Sequence, residues 1–154
     1  MITYRFGDAV KAFDTGEVDI LVHGCNCYHT MGAGIAKQIA KRFPEALTED
    51  KKTIYGPAKL GRISIAEVER VCGIKGFVIN AYTQDTYWDS SRMLNYSSVY
   101  NSMLFTKHFA ESKNLSIGMP KIGAGLARGD WVKISDILDR IFGDKEIFVY
   151  EFRP

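Results

Sequence analysis

The sequence predicts an α/β domain: a mostly parallel sheet with helices on both faces. Three observations predict it. Strand-like and helix-like segments alternate along the 154 residues. Two of the strand-like runs, Asp19–His23 and Gly76–Tyr82, are apolar enough to be buried on both faces, as central parallel strands are. Two of the strands run straight into glycine-rich turns and then into helices, the connection that parallel strands use.

Each element has its own signal. Ile2–Phe6 alternates as a strand and ends at Gly7-Asp8. Between Ala33 and Phe43 the apolar positions Ile35, Ala36, Ile39, Ala40 and Phe43 share one helical stripe. Pro44 is expected to close that helix, because proline cannot continue it. Gly61–Val68 reads as a strand, and Gly73 as a turn before the next one, Gly76–Tyr82. Asn95–Ser112 has helical length and period, with Tyr96, Tyr100, Met103 and Leu104 in phase. Leu115–Met119 is a strand stopped by Pro120. Ile134, Ile137, Leu138 and Ile141 fall at i, i+3, i+4 and i+7, an amphipathic helix for which Gly143 suits the C-terminal cap. Glu146–Phe152 is a last strand, and Thr83–Met93, polar and aromatic, is expected to be a surface loop that, with Tyr28 and His29, is a candidate flank of a bound ligand whose placement the sequence does not give.

Composition bounds the class. Apolar residues make up 46% and charged residues 25%, the balance of a globular protein with one core. The expectation is one domain over residues 1–154, monomeric, with no linker or repeat. No run approaches the roughly 20 apolar residues of a membrane span, and Met1–Arg5 lacks the basic start and apolar run of a signal peptide. Cys25, Cys27 and Cys72 form an odd set, read as free thiols in a reducing compartment. The expected location is therefore intracellular, in the cytoplasm. A net charge of +2 with no basic cluster gives no argument for a nucleic-acid surface. A small anion held by backbone N–H groups leaves no trace in net charge and stays open.

Two loops carry the chemistry. After the strand that ends at His23 the chain reads Gly24-Cys25-Asn26-Cys27-Tyr28-His29-Thr30-Met31-Gly32-Ala33-Gly34-Ile35-Ala36. After the Leu115–Met119 strand it reads Pro120-Lys121-Ile122-Gly123-Ala124-Gly125-Leu126-Ala127-Arg128-Gly129-Asp130. Glycine permits positive φ and close approach of a ligand. The helix start that follows offers unbonded N–H groups and partial positive charge. Together they make an anion site. Either loop alone could be a simple tight turn. Two at one edge of a sheet would clasp a diphosphate from both sides. Neither fits the dinucleotide fingerprint or the P-loop.

These residues resemble the macro-domain family over nearly the whole chain. The carrying segments are Ile2-Thr3-Tyr4-Arg5-Phe6-Gly7-Asp8, His23-Gly24-Cys25-Asn26, Met31-Gly32-Ala33-Gly34-Ile35-Ala36, Met119–Leu126 and Phe148-Val149-Tyr150. The resemblance implies a three-layer α/β/α fold with a mixed, mostly parallel sheet, and an ADP-ribose-type ligand. It assigns Asp8, between Gly7 and Ala9, to the adenine amino group and Tyr150 to the adenine ring. It assigns Gly24, Cys25, Asn26 and the stretch from Met31 to Ile35 to the first ligand loop. Ile122, Gly123, Ala124, Gly125 and Leu126 form the second. Within the family the chain is similar to the subgroup of ADP-ribose 1″-phosphate phosphatases and terminal ADP-ribose glycohydrolases. Where the glycohydrolase carries a lysine and an aspartate, this chain is read as having Ala81 and Ala127. The resemblance thus implies a phosphatase that releases phosphate from ADP-ribose 1″-phosphate. A non-catalytic ADP-ribose reader and an ADP-ribosyl hydrolase acting on modified protein or nucleic acid are the alternatives.

His23 and Asn26 are the expected catalytic residues. An imidazole titrates near neutrality and would pass a proton to water or to the leaving oxygen; otherwise it is a buried ring bonded to backbone. The amide of Asn26 suits ribose hydroxyls; otherwise it shapes a turn. Asp8 and Asp130 also fit helix N-caps. His23, Cys25, Cys27 and His29 alternate, which admits zinc, but the second half of a zinc site is missing. No metal or cofactor is expected.

Overall fold

The computed structural model describes residues 1–88, 94–125 and 129–152. Six strands form one sheet: β1 (Ile2–Phe6), β2 (Ile20–Cys25), β3 (Ile63–Val68), β4 (Gly76–Tyr82), β5 (Ile117–Pro120) and β6 (Ile147–Glu151). Their order is β1-β6-β5-β2-β4-β3, parallel throughout except for β3, which runs antiparallel to β4 at the edge. The sheet is therefore mixed and mostly parallel. The carboxyl ends of β1, β6, β5, β2 and β4 all emerge at one edge, where ligands of such sheets gather.

Helices cover both faces. On one side lie α1 (Ala9–Asp14), α2 (Gly34–Arg42) and α3 (Pro44–Lys51). There Phe13, Ile39, Phe43 and Ala46 pack on Leu21 and Val78. On the other side lie α4 (Tyr96–Lys113) and α5 (Trp131–Phe142). There Met103, Ile134, Leu138 and Phe142 pack on Ile20, Val22 and Ile79. Strand β2 thus sends alternate residues into two cores, as its apolar run requires.

Three features differ from the sequence reading. Pro44 does not merely stop α2. It is the first residue of α3, where its missing N–H costs nothing and its fixed φ suits the helix. Helix α1 was not anticipated; at six residues it is too short to show a period, and Asp8 starts it by capping. The loop after β4 is not simply a surface loop: Thr83 and Thr86 are buried, and Gln84 bridges to Leu94. Residues 89–93 of that stretch lie outside the described residues. Among those described, no helix is long and apolar enough to cross a membrane.

Candidate functional site

A cleft follows the carboxyl edge of the sheet. Its first half, about 750 Å³, is lined by Gly7, Asp8 and Ala9, by Gly34 and Ile35, and by Tyr150, Glu151 and Phe152. Its second half, about 640 Å³, is lined by Gly24, Cys25 and Asn26, by Met31 through Ala36, and by Ile122, Gly123 and Gly125. Gly34, Ile35, Pro120 and Lys121 line both, so the two halves join between the glycine loops. The loops meet because β2 and β5 are parallel neighbours.

Helix α2 begins at this junction. Ala33 stands at its N-cap and no side chain caps it. Gly34 takes φ +59, a conformation open to glycine at little cost. Among the described residues the amides of Gly34, Ile35 and Ala36 have no partner. Partial positive charge therefore faces the cleft. Across it, Gly123 has φ +75, and a Cβ there would meet Leu94 at 2.8 Å and Ile134 at 3.1 Å. Gly125 has ordinary φ and open space where its Cβ would stand. Lys121 forms an ion pair with Glu151 beside the junction.

Most of the expected ligand residues come together here, and two, Ala124 and Tyr150, do not do so as anticipated. Ala124 does not line the cleft; its amide is tied back to the Lys121 carbonyl, 3.3 Å away. Leu126 lies outside the described residues, as does Ala127. Tyr150 lies beneath the first half but is only 4% exposed, with its hydroxyl held by Glu17 (3.0 Å) and Arg5 (3.4 Å). The exposed aromatics lining this half are Phe6, 58% exposed, and Phe152, 74% exposed.

His23 is the main correction. Its ring is 0% exposed and does not line the cleft. The hydrogen bonds around it fix its proton. Asn80 donates Nδ2 to the Ala46 carbonyl and to Ser64 Oγ, both at 2.9 Å, so its Oδ1 must accept. His23 Nε2 therefore donates to Asn80 Oδ1 over 2.7 Å. That leaves Nδ1 as the acceptor, 3.7 Å from the Cys25 thiol. The chain continues from Ser64 to the Tyr82 hydroxyl (2.8 Å), which donates to Asp50 (2.7 Å) beside buried Lys59. Burial pushes the His23 imidazole down to about 4, against smaller opposing effects of Asn80 and Asp50. A neutral, enclosed ring exchanges no proton with a cleft ligand. Burial likewise pushes the Cys25 thiol well up, so it is a neutral group at the cleft wall.

Asn26 lines the cleft, but its amide is engaged in its own loop. Nδ2 donates to the Thr30 carbonyl (3.0 Å) and hydroxyl (2.9 Å), while Oδ1 accepts from the Tyr28 amide (2.8 Å). Asp8 accepts from the amides of Val10 (2.9 Å) and Lys11 (3.3 Å) through Oδ1 alone. Among the described residues its Oδ2 has no partner. His29 bonds to the Thr53 carbonyl and Cys27 to the Gln84 carbonyl, so the four alternating His and Cys residues do not converge. No group of three or more metal-ligating side chains occurs among the described residues.

Lys121 and Phe152 line the cleft outside the residues the sequence points to, whereas Gln84 and Tyr87 belong to the Thr83–Met93 loop, which the sequence offers as a flank of the distal ribose without placing it. Ala81 is buried within β4; the residues after that strand that reach the cleft are Gln84 and Tyr87. Phe152 also has a sequence signal, as an aromatic two positions beyond Tyr150.

Comparison with known proteins agrees with this geometry. Residues 22–138 match the profile of the family described as Macro domain. The chain is 38% identical over 158 aligned residues to the "Uncharacterized 17.5 kDa protein in tk-vs intergenic region" of Enterobacteria phage T4, covering 100% of this chain and 98% of that protein. It is 29% identical to a DNA ADP-ribosyl glycohydrolase of Mycobacterium bovis, covering 92% of this chain but 39% of that protein. It is 26% identical to the ADP-ribose 1″-phosphate phosphatase of Saccharomyces cerevisiae, covering 97% and 98%. Among solved structures, the macrodomain of Mycobacterium tuberculosis DarG superposes with a TM-score of 0.79 at 23% identity, covering 100% of this chain and 98% of that one.

Proposed function

The chain belongs to the macro-domain family, and from that premise we propose that its cleft binds ADP-ribose and that the chain is a hydrolase releasing phosphate from ADP-ribose 1″-phosphate. One observation carries the reading: a single cleft passes both glycine loops and the uncapped start of α2 at its midpoint. A ligand with a central diphosphate and a nucleoside at one end matches that layout.

On this reading adenine lies in the first half. Asp8 Oδ2 accepts from its amino group and Phe152 offers a ring face. The diphosphate sits between the amides of Gly34–Ala36 and those of the Ile122–Gly125 loop, with Lys121 adding charge. The distal ribose extends toward Asn26, Gln84 and Tyr87. Phosphate-ester hydrolysis needs an in-line water and stabilised phosphoryl oxygens. With His23 enclosed, the chain's contribution is positioning and N–H electrostatics, and water is oriented by the neutral groups of Gln84, Thr30 and Tyr87. The yeast phosphatase supports this reading because the match spans nearly all of both chains.

A second reading is a non-catalytic ADP-ribose reader. It is favoured by one fact: among the described residues, no carboxylate or imidazole lines the second half of the cleft. Calorimetry with ADP-ribose and a phosphate-release assay on ADP-ribose 1″-phosphate separate the two. Binding with release supports the phosphatase, and binding without release supports the reader. Release of ADP-ribose from a modified protein or nucleic acid, without phosphate release, moves the activity to the glycosidic bond. No binding at all ends the ADP-ribose reading.

A further inference from the structure

The sheet ends on one side at β1, which pairs with β6 alone, in unbroken parallel register from Ile2↔Ile147 to Phe6↔Glu151. The Ile147 amide donates to the Met1 carbonyl and the Gly7 amide to the Glu151 carbonyl, both at 2.9 Å. Odd-numbered residues of β1 therefore bond to β6, and the pleat turns the N–H and C=O groups of Ile2, Tyr4 and Phe6 away from it. Proteins usually guard such an edge with lysine, proline or a bulge. Strand β1 has none of these and shows Tyr4, 47% exposed, and Phe6 instead. Ile2, Tyr4 and Phe6 share the face on which α5 packs. Ile2 joins the core there, and the Tyr4 hydroxyl accepts from Trp131 Nε1 at 3.1 Å. On the opposite face lie Thr3 and Arg5. Thr3 donates to Glu146 at 2.7 Å, and Arg5 lies 3.9 Å over the Phe148 ring. Neither Arg5 nor Glu146 has an ion pair among the described residues.

We propose that β1 pairs with β1 of a second copy of this chain, antiparallel about a two-fold axis at Tyr4, so that two sheets join into one. The proposal sets a dimer against the monomer expected from the sequence, and it does not depend on what the cleft binds. Register selects this occupant. With the axis at Tyr4, that residue meets the partner's Tyr4 and the two exchange both N–H···O bonds. Ile2 stands opposite the partner's Phe6, and Phe6 opposite the partner's Ile2. Every outward-turned residue thus meets another, which is the self-complementarity a two-fold interface requires. On the α5 face the join sets aromatic and β-branched side chains against each other. On the other face Arg5 stands opposite the partner's Thr3, whose hydroxyl is the one that holds Glu146. That brings an unpaired guanidinium beside an unpaired carboxylate, twice by symmetry. A foreign strand could complete the backbone bonds, but a second β1 supplies the apolar and the charged partners at once. Phe6 lines the first half of the cleft, so the partner's Ile2 borders that half.

Sedimentation equilibrium up to about 100 μM tests this, a concentration above the micromolar constants of weak interfaces. The wild type is expected at twice the mass of one chain at that concentration. Tyr4→Pro removes an N–H that does not serve β6, so the chain should fold and stay single. Arg5→Glu should weaken association about tenfold, as should Glu146→Arg, and the two reversals together should restore it to within about threefold of wild type. A wild type at the mass of one chain overturns the proposal. So does a dimer that persists in folded Tyr4→Pro, or a double reversal that associates no better than either single one. Should Tyr4→Pro fail to fold, the charge reversals decide alone, since both positions are on the surface and neither contributes to the core.

Discussion

At the scale of single residues, His23 shows how the same side chain reads differently once its surroundings are known. Its folded pKa, about 4, lies below the ordinary 6.5. Between these values the unfolded chain binds a proton that the folded chain refuses. Stability is therefore full above about 6.5 and falls as pH drops toward 4, by about 3 kcal/mol. His23→Gln keeps a donor for Asn80 but cannot titrate. Urea unfolding at pH 7 and pH 4.5 should show a smaller acid loss in the variant than in the wild type; equal losses would assign the acid sensitivity to other groups. Phosphate release should persist in His23→Gln. Asp8 has two duties that one variant separates. Asp8→Ala should lose an N-cap worth about 1 kcal/mol. It should also weaken AMP and ADP-ribose much more than ribose 5-phosphate, as read by calorimetry. Equal weakening of all three would leave Asp8 with the cap alone.

At the scale of elements, Gly123 and Gly125 of the second loop make a matched pair. A side chain at Gly123 would drive into Leu94 and Ile134 from a positive φ, so Gly123→Val is expected to destabilise the fold by several kcal/mol. A side chain at Gly125 meets open space and stands in the cleft. Gly125→Val should keep the wild-type unfolding midpoint within a few tenths of a kcal/mol and abolish measurable ADP-ribose binding. Retained affinity would show that this turn only connects β5 to α5. The same scale shows what was legible in sequence. The period of Ile134–Ile141, with Asp130 and Gly143 at its ends, needs no tertiary knowledge, and α5 runs from Trp131 to Phe142 between those caps. Helix α1 was not legible, since a single capped turn and a half has no period to read. Pro44 does end α2, as its sequence position implies, but the start of α3 there was not legible, because a proline that ends one helix also suits the first turn of the next.

For the whole molecule, the parallel order of the strands decides where a ligand can lie. A ligand that bridges both halves of the cleft should stabilise the chain more than one that fills half. ADP-ribose at 100 times its dissociation constant should add about 2.7 kcal/mol. AMP at the same concentration should raise the melting temperature less, because it reaches only the adenine half. A thermal-shift series with ADP-ribose, AMP and ribose 5-phosphate tests this; equal shifts for AMP and ADP-ribose would place no diphosphate at the junction.

From the sequence by itself came the alternation of elements, the two buried strands, both glycine loops and the family resemblance. These are local or patterned properties, set by residue type and spacing along the chain. Only the tertiary structure decided which side chains reach the cleft. His23 and Cys25 are two residues apart on one strand, yet the neighbouring strand and α3 enclose the first, while the second borders the cleft. Nothing in the sequence places Gln84, Tyr87 or Phe152 beside the glycine loops. They become neighbours of the loops only because strands distant in sequence end at the same edge of the sheet.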